Sequence, residues 1–82
     1  MKDPNDKETW HKKGFTLSRL RKDEDSIECY ENILEIDPND EVAWLNKGIA
    51  LANLWKYEEA IECYEKRLEL TLTTRKYCFI KN

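Results

Sequence analysis

His11 and three cysteines are the side chains of this 82-residue chain best suited to acid–base, nucleophilic or metal chemistry. Cys29, Cys63 and Cys78 stand far apart in the chain, whereas zinc ligands usually include pairs two to four residues apart. His11 is the single histidine and falls on an early, exposed helical turn, where a solvated or peptide-facing role is more common than catalysis. No glycine-rich loop follows a strand pattern. We therefore predict no catalytic site, no metal and no cofactor.

The composition excludes further classes of function. Fourteen Lys and Arg against 17 Asp and Glu leave a net charge of −3, which gives no electrostatic basis for binding nucleic acid. No apolar run approaches the roughly 20 residues of a membrane span, and the start lacks the apolar core of a signal peptide. An odd cysteine count without paired spacing is typical of a reducing compartment. The sequence predicts a soluble, cytoplasmic protein without a membrane partner.

An internal repeat organises the elements that would position any site. Residues 3–36 are identical to residues 37–70 at 18 of 34 positions, and both glycines and both prolines obey the offset of 34. Asp3-Pro4-Asn5-Asp6 recurs as Asp37-Pro38-Asn39-Asp40, and Glu28-Cys29-Tyr30-Glu31 recurs as Glu62-Cys63-Tyr64-Glu65. Such a period is the signature of a repeat architecture.

Each unit carries two amphipathic helix patterns. In the second unit Trp44, Gly48, Leu51 and Leu54 share one helical face. The next segment has its apolar stripe at Tyr57, Ala60, Ile61, Tyr64 and Leu68. Pro38 ends a helix before Asp37, and Asn39 or Asp40 can cap the following one. The predicted helices span 7–20, 24–36, 41–54 and 58–70.

The placement of these residues resembles the tetratricopeptide repeat family. The resemblance covers residues 3–70. With Lys7 and Glu41 as first positions, the first unit carries Trp10, Gly14, Leu17, Tyr30 and Pro38 at family places, and the second carries Trp44, Gly48, Leu51, Ala60 and Tyr64. The resemblance implies an all-α fold of two helix-turn-helix repeats in a short right-handed solenoid. We predict a lead at 1–6, repeats at 7–40 and 41–74, and a tail at 75–82.

Some residues depart from the family pattern. Arg21 and Trp55 stand where glycine often ends the first helix, and a left-handed conformation there costs about 1 kcal/mol. Arg67 replaces a small residue, and no Asp-Pro-Asn-Asp follows Leu70. The regular solenoid is therefore expected to end near Leu70, and the tail is predicted to form a short capping helix. The alternative is the start of an incomplete third repeat.

The resemblance also implies a concave groove lined by the first helix of each repeat. Its predicted residues are Glu8, His11, Lys12, Phe15, Arg19, Val42, Leu45, Asn46, Ile49 and Asn53. Val42, Leu45 and Ile49 form an apolar patch that is typical of a partner site, although they could instead contact the first unit or the tail. His11 and Phe15 replace the Lys and Asn of family members that grip carboxylate termini, so that clamp is not predicted.

The predicted function is non-catalytic binding of a protein or peptide segment in this groove. One alternative is self-assembly, in which a homodimer stacks or exchanges repeats. Another is that the chain is a fragment of a longer array of repeats. About three repeats are generally needed for stability, and two leave an apolar face at each end. Trp55, outside the core stripe, is a candidate for such self-association.

Overall fold

Four helices in series make up the fold. The computed structural model describes the backbone of residues 6–81 and side chains through Thr71. Within these residues α1 spans Lys7–Arg19, α2 spans Asp23–Ile36, α3 spans Glu41–Asn53 and α4 spans Tyr57–Lys81. Each helix packs against the next along the chain, so α1 with α2 and α3 with α4 form the two predicted helix pairs. None of the described helices combines the length and apolar content that a bilayer span requires.

Aspartates begin the first helix of each pair. The Asp6 carboxylate accepts from the Glu8 backbone N–H at 3.0 Å, and the Asp40 carboxylate accepts from the Ala43 N–H at 3.0 Å. These bonds satisfy backbone donors that the first turn of a helix leaves unpaired. Asp40 is thus confirmed as the cap of α3, while the Asn39 N–H instead donates to Asp37 across the loop.

Both first helices end in the same left-handed turn. Arg21 and Trp55 have φ of 65° and 66°, the region that costs a residue with a Cβ about 1 kcal/mol. The Lys22 N–H donates to the Leu17 carbonyl and the Lys56 N–H donates to the Leu51 carbonyl, both at 2.9 Å. This six-to-one bond defines a Schellman motif. The left-handed conformation considered for these two positions is therefore present at both.

A close approach at a glycine holds each helix pair together. A Cβ on Gly14 would lie 2.9 Å from Tyr30 Cζ, and one on Gly48 would lie 2.7 Å from Tyr64 Cε1. Tyr30 is only 2% exposed. The glycines therefore let an aromatic ring lie directly against the backbone of the facing helix.

Buried side chains form two small clusters around these contacts. One contains Tyr30, Ile33 and Ala43, with Trp10 and Leu34 packed against it. The other contains Leu51, Ala60 and Cys63, joined by partly buried neighbours that include Ile27 and Trp44. Ile27 of α2 reaches the cluster between α3 and α4, so the second cluster links the two repeats. Cys29 and Cys63 are buried free thiols, and burial raises the pKa of both.

The fourth helix is longer than the sequence predicted. The expected end at Leu70 is wrong, because α4 continues to Lys81. Residues 71–74 hold neither proline nor glycine, so nothing interrupts the helical hydrogen bonding there. Residues 75–81 are therefore the last turns of α4 and not a helix of their own.

Part of the apolar stripe predicted on α4 faces solvent. Ala60 is 2% exposed, but Tyr57, Ile61 and Leu68 are each more than half exposed. The matching residues of the first repeat, Ile27 and Leu34, are half-buried because the second repeat covers them. Among the described side chains, the second repeat covers this stripe on α2, whereas the stripe on α4 is largely exposed.

Replacement of the helical glycine by alanine, which usually stabilises a helix, should destabilise this fold. Gly48→Ala improves helix propensity by about 1 kcal/mol, but its Cβ would meet the ring of Tyr64 at 2.7 Å. Overpacking of this kind costs about 1–3 kcal/mol. We expect a net loss of about 1 kcal/mol in urea unfolding followed by circular dichroism. The loss should shrink in a Tyr64→Leu background, and a higher unfolding midpoint for Gly48→Ala alone would contradict the contact.

The left-handed turn gives a stabilising substitution. Arg21→Gly should raise the free energy of unfolding by about 0.5–1 kcal/mol, because glycine adopts positive φ without a Cβ clash. Thermal unfolding should then shift upward by several degrees. Arg21→Ala is the matched control, since it removes the side chain but keeps the Cβ. Equal melting temperatures for the two variants would show that φ is not the source of the gain.

Candidate functional site

A shallow depression lies between the exposed faces of α1 and α3. It encloses about 600 Å³ and is widely open to solvent. Its lining residues are Lys7, Glu8, His11, Lys12, Phe15, Asp40, Val42 and Asn46. Phe15 and Val42 are 57% and 54% exposed, so its apolar surface comes from two side chains that the fold leaves uncovered.

The structure brings six of the ten predicted groove residues together here. They are Glu8, His11, Lys12, Phe15, Val42 and Asn46. Leu45 and Ile49 lie outside the depression, where Leu45 is half-buried and Ile49 is 41% exposed. The guanidinium carbon of Arg19 is 5.8 Å from the centre of the Phe15 ring, within cation–π range.

Asn53 has a structural contact instead. Its side-chain amide donates to the carboxylate of Asp23 at 3.4 Å. Asp23 is only 7% exposed, and a buried carboxylate needs hydrogen-bond donors. Asn53 therefore connects α3 to the start of α2, at the opposite end of α3 from the depression.

A cluster of charged side chains forms one end of the depression. Lys7 Nζ lies 2.7 Å from Asp37 Oδ2 and 3.2 Å from Asp40 Oδ2. His11 Nε2 lies 3.1 Å from the same Asp40 oxygen. Since an ionised carboxylate only accepts hydrogen bonds, Nε2 carries the proton in this contact. The cluster joins α1 to the loop before α3 and so sets the spacing of the two helices that line the depression.

Electrostatics in the cluster favour the charged forms. Burial alone would raise the pKa of Asp40, whose side chain is 9% exposed, but hydrogen bonds from His11, the Ala43 N–H and Lys7 lower it overall. The Lys7 ammonium and the Asn39 N–H lower the pKa of Asp37. Hydrogen bonds to Asp37 and Asp40 raise the pKa of Lys7. The site thus holds fixed charges beside exposed apolar surface.

The sequence does not predict the contacts of Lys7 and His11 with Asp37 and Asp40. It predicts Asp40 only as a possible cap, and His11 only as a solvated or peptide-facing residue. At the positions of Lys7 and His11 the second repeat has Glu41 and Leu45, so the repeat pattern carried no signal for the cluster. One feature of the sequence could have indicated the contact. Lys7 and Asp37 carry opposite charges and stand 30 residues apart, close to the repeat offset of 34.

Asp40 has two roles that substitutions can separate. Asp40→Ala removes both the cap of α3 and the partner of Lys7 and His11. The free energy of unfolding should therefore fall by about 1–2 kcal/mol. Asp40→Asn keeps a capping oxygen and loses only the charge, so its loss should be smaller. Urea unfolding at neutral pH compares the two variants directly.

The charge of Asp40 also predicts a pH dependence. Because the folded state lowers its pKa, the carboxylate stabilises the fold above its ordinary value of about 4, and this contribution is lost as pH falls through the lower folded pKa. The difference in unfolding free energy between wild type and Asp40→Asn should therefore narrow from pH 7 to pH 3. A constant difference would show that Asp40 acts by its cap alone.

Comparison with protein families gives two matches. Two family models, each described as tetratricopeptide repeat, match residues 7–40 and residues 29–62. The first has the bounds predicted for the first repeat, and the second runs from α2 through α3 into α4. A search of curated proteins finds no match. The repeat period, the paired helices and these matches agree, and the chain belongs to the tetratricopeptide repeat family, whose repeats are generally protein–protein interaction modules.

Proposed function

We propose that this protein binds an apolar segment of a partner protein in the depression between α1 and α3. The observation that carries the proposal is the exposure of Phe15 and Val42, at 57% and 54%, on the two sides of one concave surface. Exposed apolar surface rimmed by polar groups is typical of an interaction site. A side chain that enters the depression would contact both residues at once.

The rim favours a segment that carries acidic groups beside its apolar anchor. Lys12 is 3.2 Å from Glu8 in a pair whose two side chains are each 70% exposed, so the pair is weak and an incoming carboxylate can compete for the ammonium. The guanidinium of Arg19 lies over the Phe15 ring. His11 and Lys7 are already bonded to Asp40 and Asp37, and they would position the depression rather than contact the partner.

The chemistry of this role is binding alone. Members of the family typically serve as non-catalytic interaction or scaffold repeats. We place the protein in the cytoplasm, in keeping with thiols that the fold leaves unpaired at Cys29 and Cys63. Self-association, the alternative function, concerns the two ends of the repeat stack and not this depression.

A peptide selection experiment tests whether the depression between α1 and α3 binds peptides. A random twelve-residue peptide library is selected on the immobilised protein, and the enriched peptides are titrated against variants. Phe15→Ser and Val42→Ser should each weaken binding at least tenfold. Both variants should keep their helicity, because both side chains are more than half exposed. Leu68→Ser, an equally exposed substitution on α4, is the matched control and should leave binding unchanged.

Two outcomes would contradict the proposal. Peptides that bind the groove variants as tightly as wild type would show that the depression is not the binding surface. Loss of helicity in Phe15→Ser or Val42→Ser would show that these side chains belong to the core.

A further inference from the structure

The junction between the two repeats shows which surfaces meet when repeats of this sequence stack. α2 faces α3 and the start of α4 across a depression of about 500 Å³. Ile27 of α2 packs against the buried cluster of Leu51, Ala60 and Cys63. Beside it Lys47 Nζ lies 3.4 Å from Glu31 Oε2. The junction thus has an apolar centre and a charged pair at its edge.

Both halves of this junction recur at the two ends of the stack. Twelve residues line the junction depression, and the repeat offset of 34 places an identical residue at eleven of the matching positions, with Asp25 for Glu59 at the twelfth. The half contributed by α2 recurs on α4 as Glu58, Ile61, Glu62 and Glu65. The half contributed by α3 and α4 recurs on α1 and α2 as Trp10, Lys13, Leu17, Leu20, Lys22, Asp25, Glu28 and Cys29.

Three of the recurring residues, Leu20, Lys13 and Ile61, are clearly more exposed than their counterparts in the junction. Ile61 on α4 is 52% exposed and Leu20 after α1 is 62% exposed, whereas their counterparts Ile27 and Leu54 are half-buried in the junction. Lys47 in the junction is 20% exposed, and its counterpart Lys13 is exposed. Trp10, Lys13 and Cys29 already line a depression of about 280 Å³ at the first end.

We propose that a second copy of this chain docks head to tail, with the α4 face of one copy on the α1–α2 face of the next. The head surface consists of Trp10, Lys13, Leu17, Leu20 and Cys29, and the tail surface consists of Glu58, Ile61, Glu62 and Glu65. Ile61 takes the place of Ile27 at the centre. Lys13 of one copy pairs with Glu65 of the other, as Lys47 pairs with Glu31.

Three differences make the contact between copies weaker than the junction within one chain. Arg67 stands where Ile33 is fully buried, and Thr9 stands where Ala43 is fully buried. Glu41 replaces Lys7, so the cluster that binds the loop aspartates is not repeated. Burial of an arginine at an apolar position is costly. The association is therefore reversible and depends on concentration.

Head-to-tail docking has a consequence that a symmetric dimer lacks. The two surfaces in contact differ, so every copy added leaves one free head and one free tail. Wild-type protein should therefore show an average mass that starts at 9.9 kDa when dilute and rises past that of a dimer as concentration increases.

Two single-ended variants test the proposal. Leu20→Asp blocks the head and Ile61→Asp blocks the tail, and both side chains are more than half exposed, so each variant should keep wild-type helicity. By light scattering, each variant alone should remain at 9.9 kDa at concentrations where wild type associates. An equimolar mixture should form a dimer and nothing larger, because one free tail meets one free head.

Charge reversal tests the predicted pair independently. Lys13→Glu and Glu65→Lys should each weaken association several-fold, and a chain that carries both changes should recover it. Phe15→Ser, in the depression between α1 and α3, should leave association unchanged, which separates this surface from the groove.

The light-scattering results distinguish head-to-tail docking from other ways of covering the head and tail surfaces. Self-association of Leu20→Asp alone, with loss in Ile61→Asp, would overturn the proposal in favour of a symmetric contact between two α4 helices. Wild-type protein that stays at 9.9 kDa up to millimolar concentration would overturn it altogether, and would leave the two end surfaces to other chains.

Discussion

The fold depends on the contact between a glycine of the first helix and a tyrosine ring of the second in each repeat. At Gly48 a methyl group would come within 2.7 Å of the Tyr64 ring, so a side chain at this position would displace the ring. The cost of glycine inside a helix, about 1 kcal/mol, is offset by burial of a large aromatic ring and a cysteine beneath it. Ser26, which is fully buried, adds to the contact by donating to the Gly14 carbonyl at 2.9 Å.

The glycine contact also determines which face of the first helices remains open. Phe15 follows Gly14 and Ile49 follows Gly48, and successive residues on a helix point about 100° apart. When the glycine side lies against the second helix, the following residue is turned away from it. Both residues are accordingly exposed, at 57% and 41%. The packing that stabilises each repeat therefore leaves an apolar side chain exposed on its first helix.

Seven of the eight helix ends could be predicted to within a residue, because local residues cap or interrupt the helices there. Asp6 and Asp40 cap, Pro38 ends α2 and the turns at Arg21 and Trp55 close α1 and α3. The end of α4 could not be predicted, since it depends on a stop signal that is missing. The charged cluster of Lys7, His11, Asp37 and Asp40 was equally hidden, because it joins residues about 30 apart that the second repeat does not share. Hydrophobic periodicity likewise predicts a stripe on α4 without showing whether a neighbour covers it.

The two repeats differ at the residues that form the charged cluster, Lys7 and His11 in the first and Glu41 and Leu45 in the second. In a linear repeat protein each unit contacts only its neighbours, so stability is approximately a sum of repeat and junction contributions. Two repeats have one junction, and here Lys7 and His11 strengthen it with charged contacts that Glu41 and Leu45 cannot make at the far end. Each end nevertheless retains the residues that form one half of the junction depression, with Asp25 in place of Glu59. The chain thus combines one junction between its own repeats with the two surfaces proposed for head-to-tail docking, and that proposed docking leaves the depression between α1 and α3 uncovered.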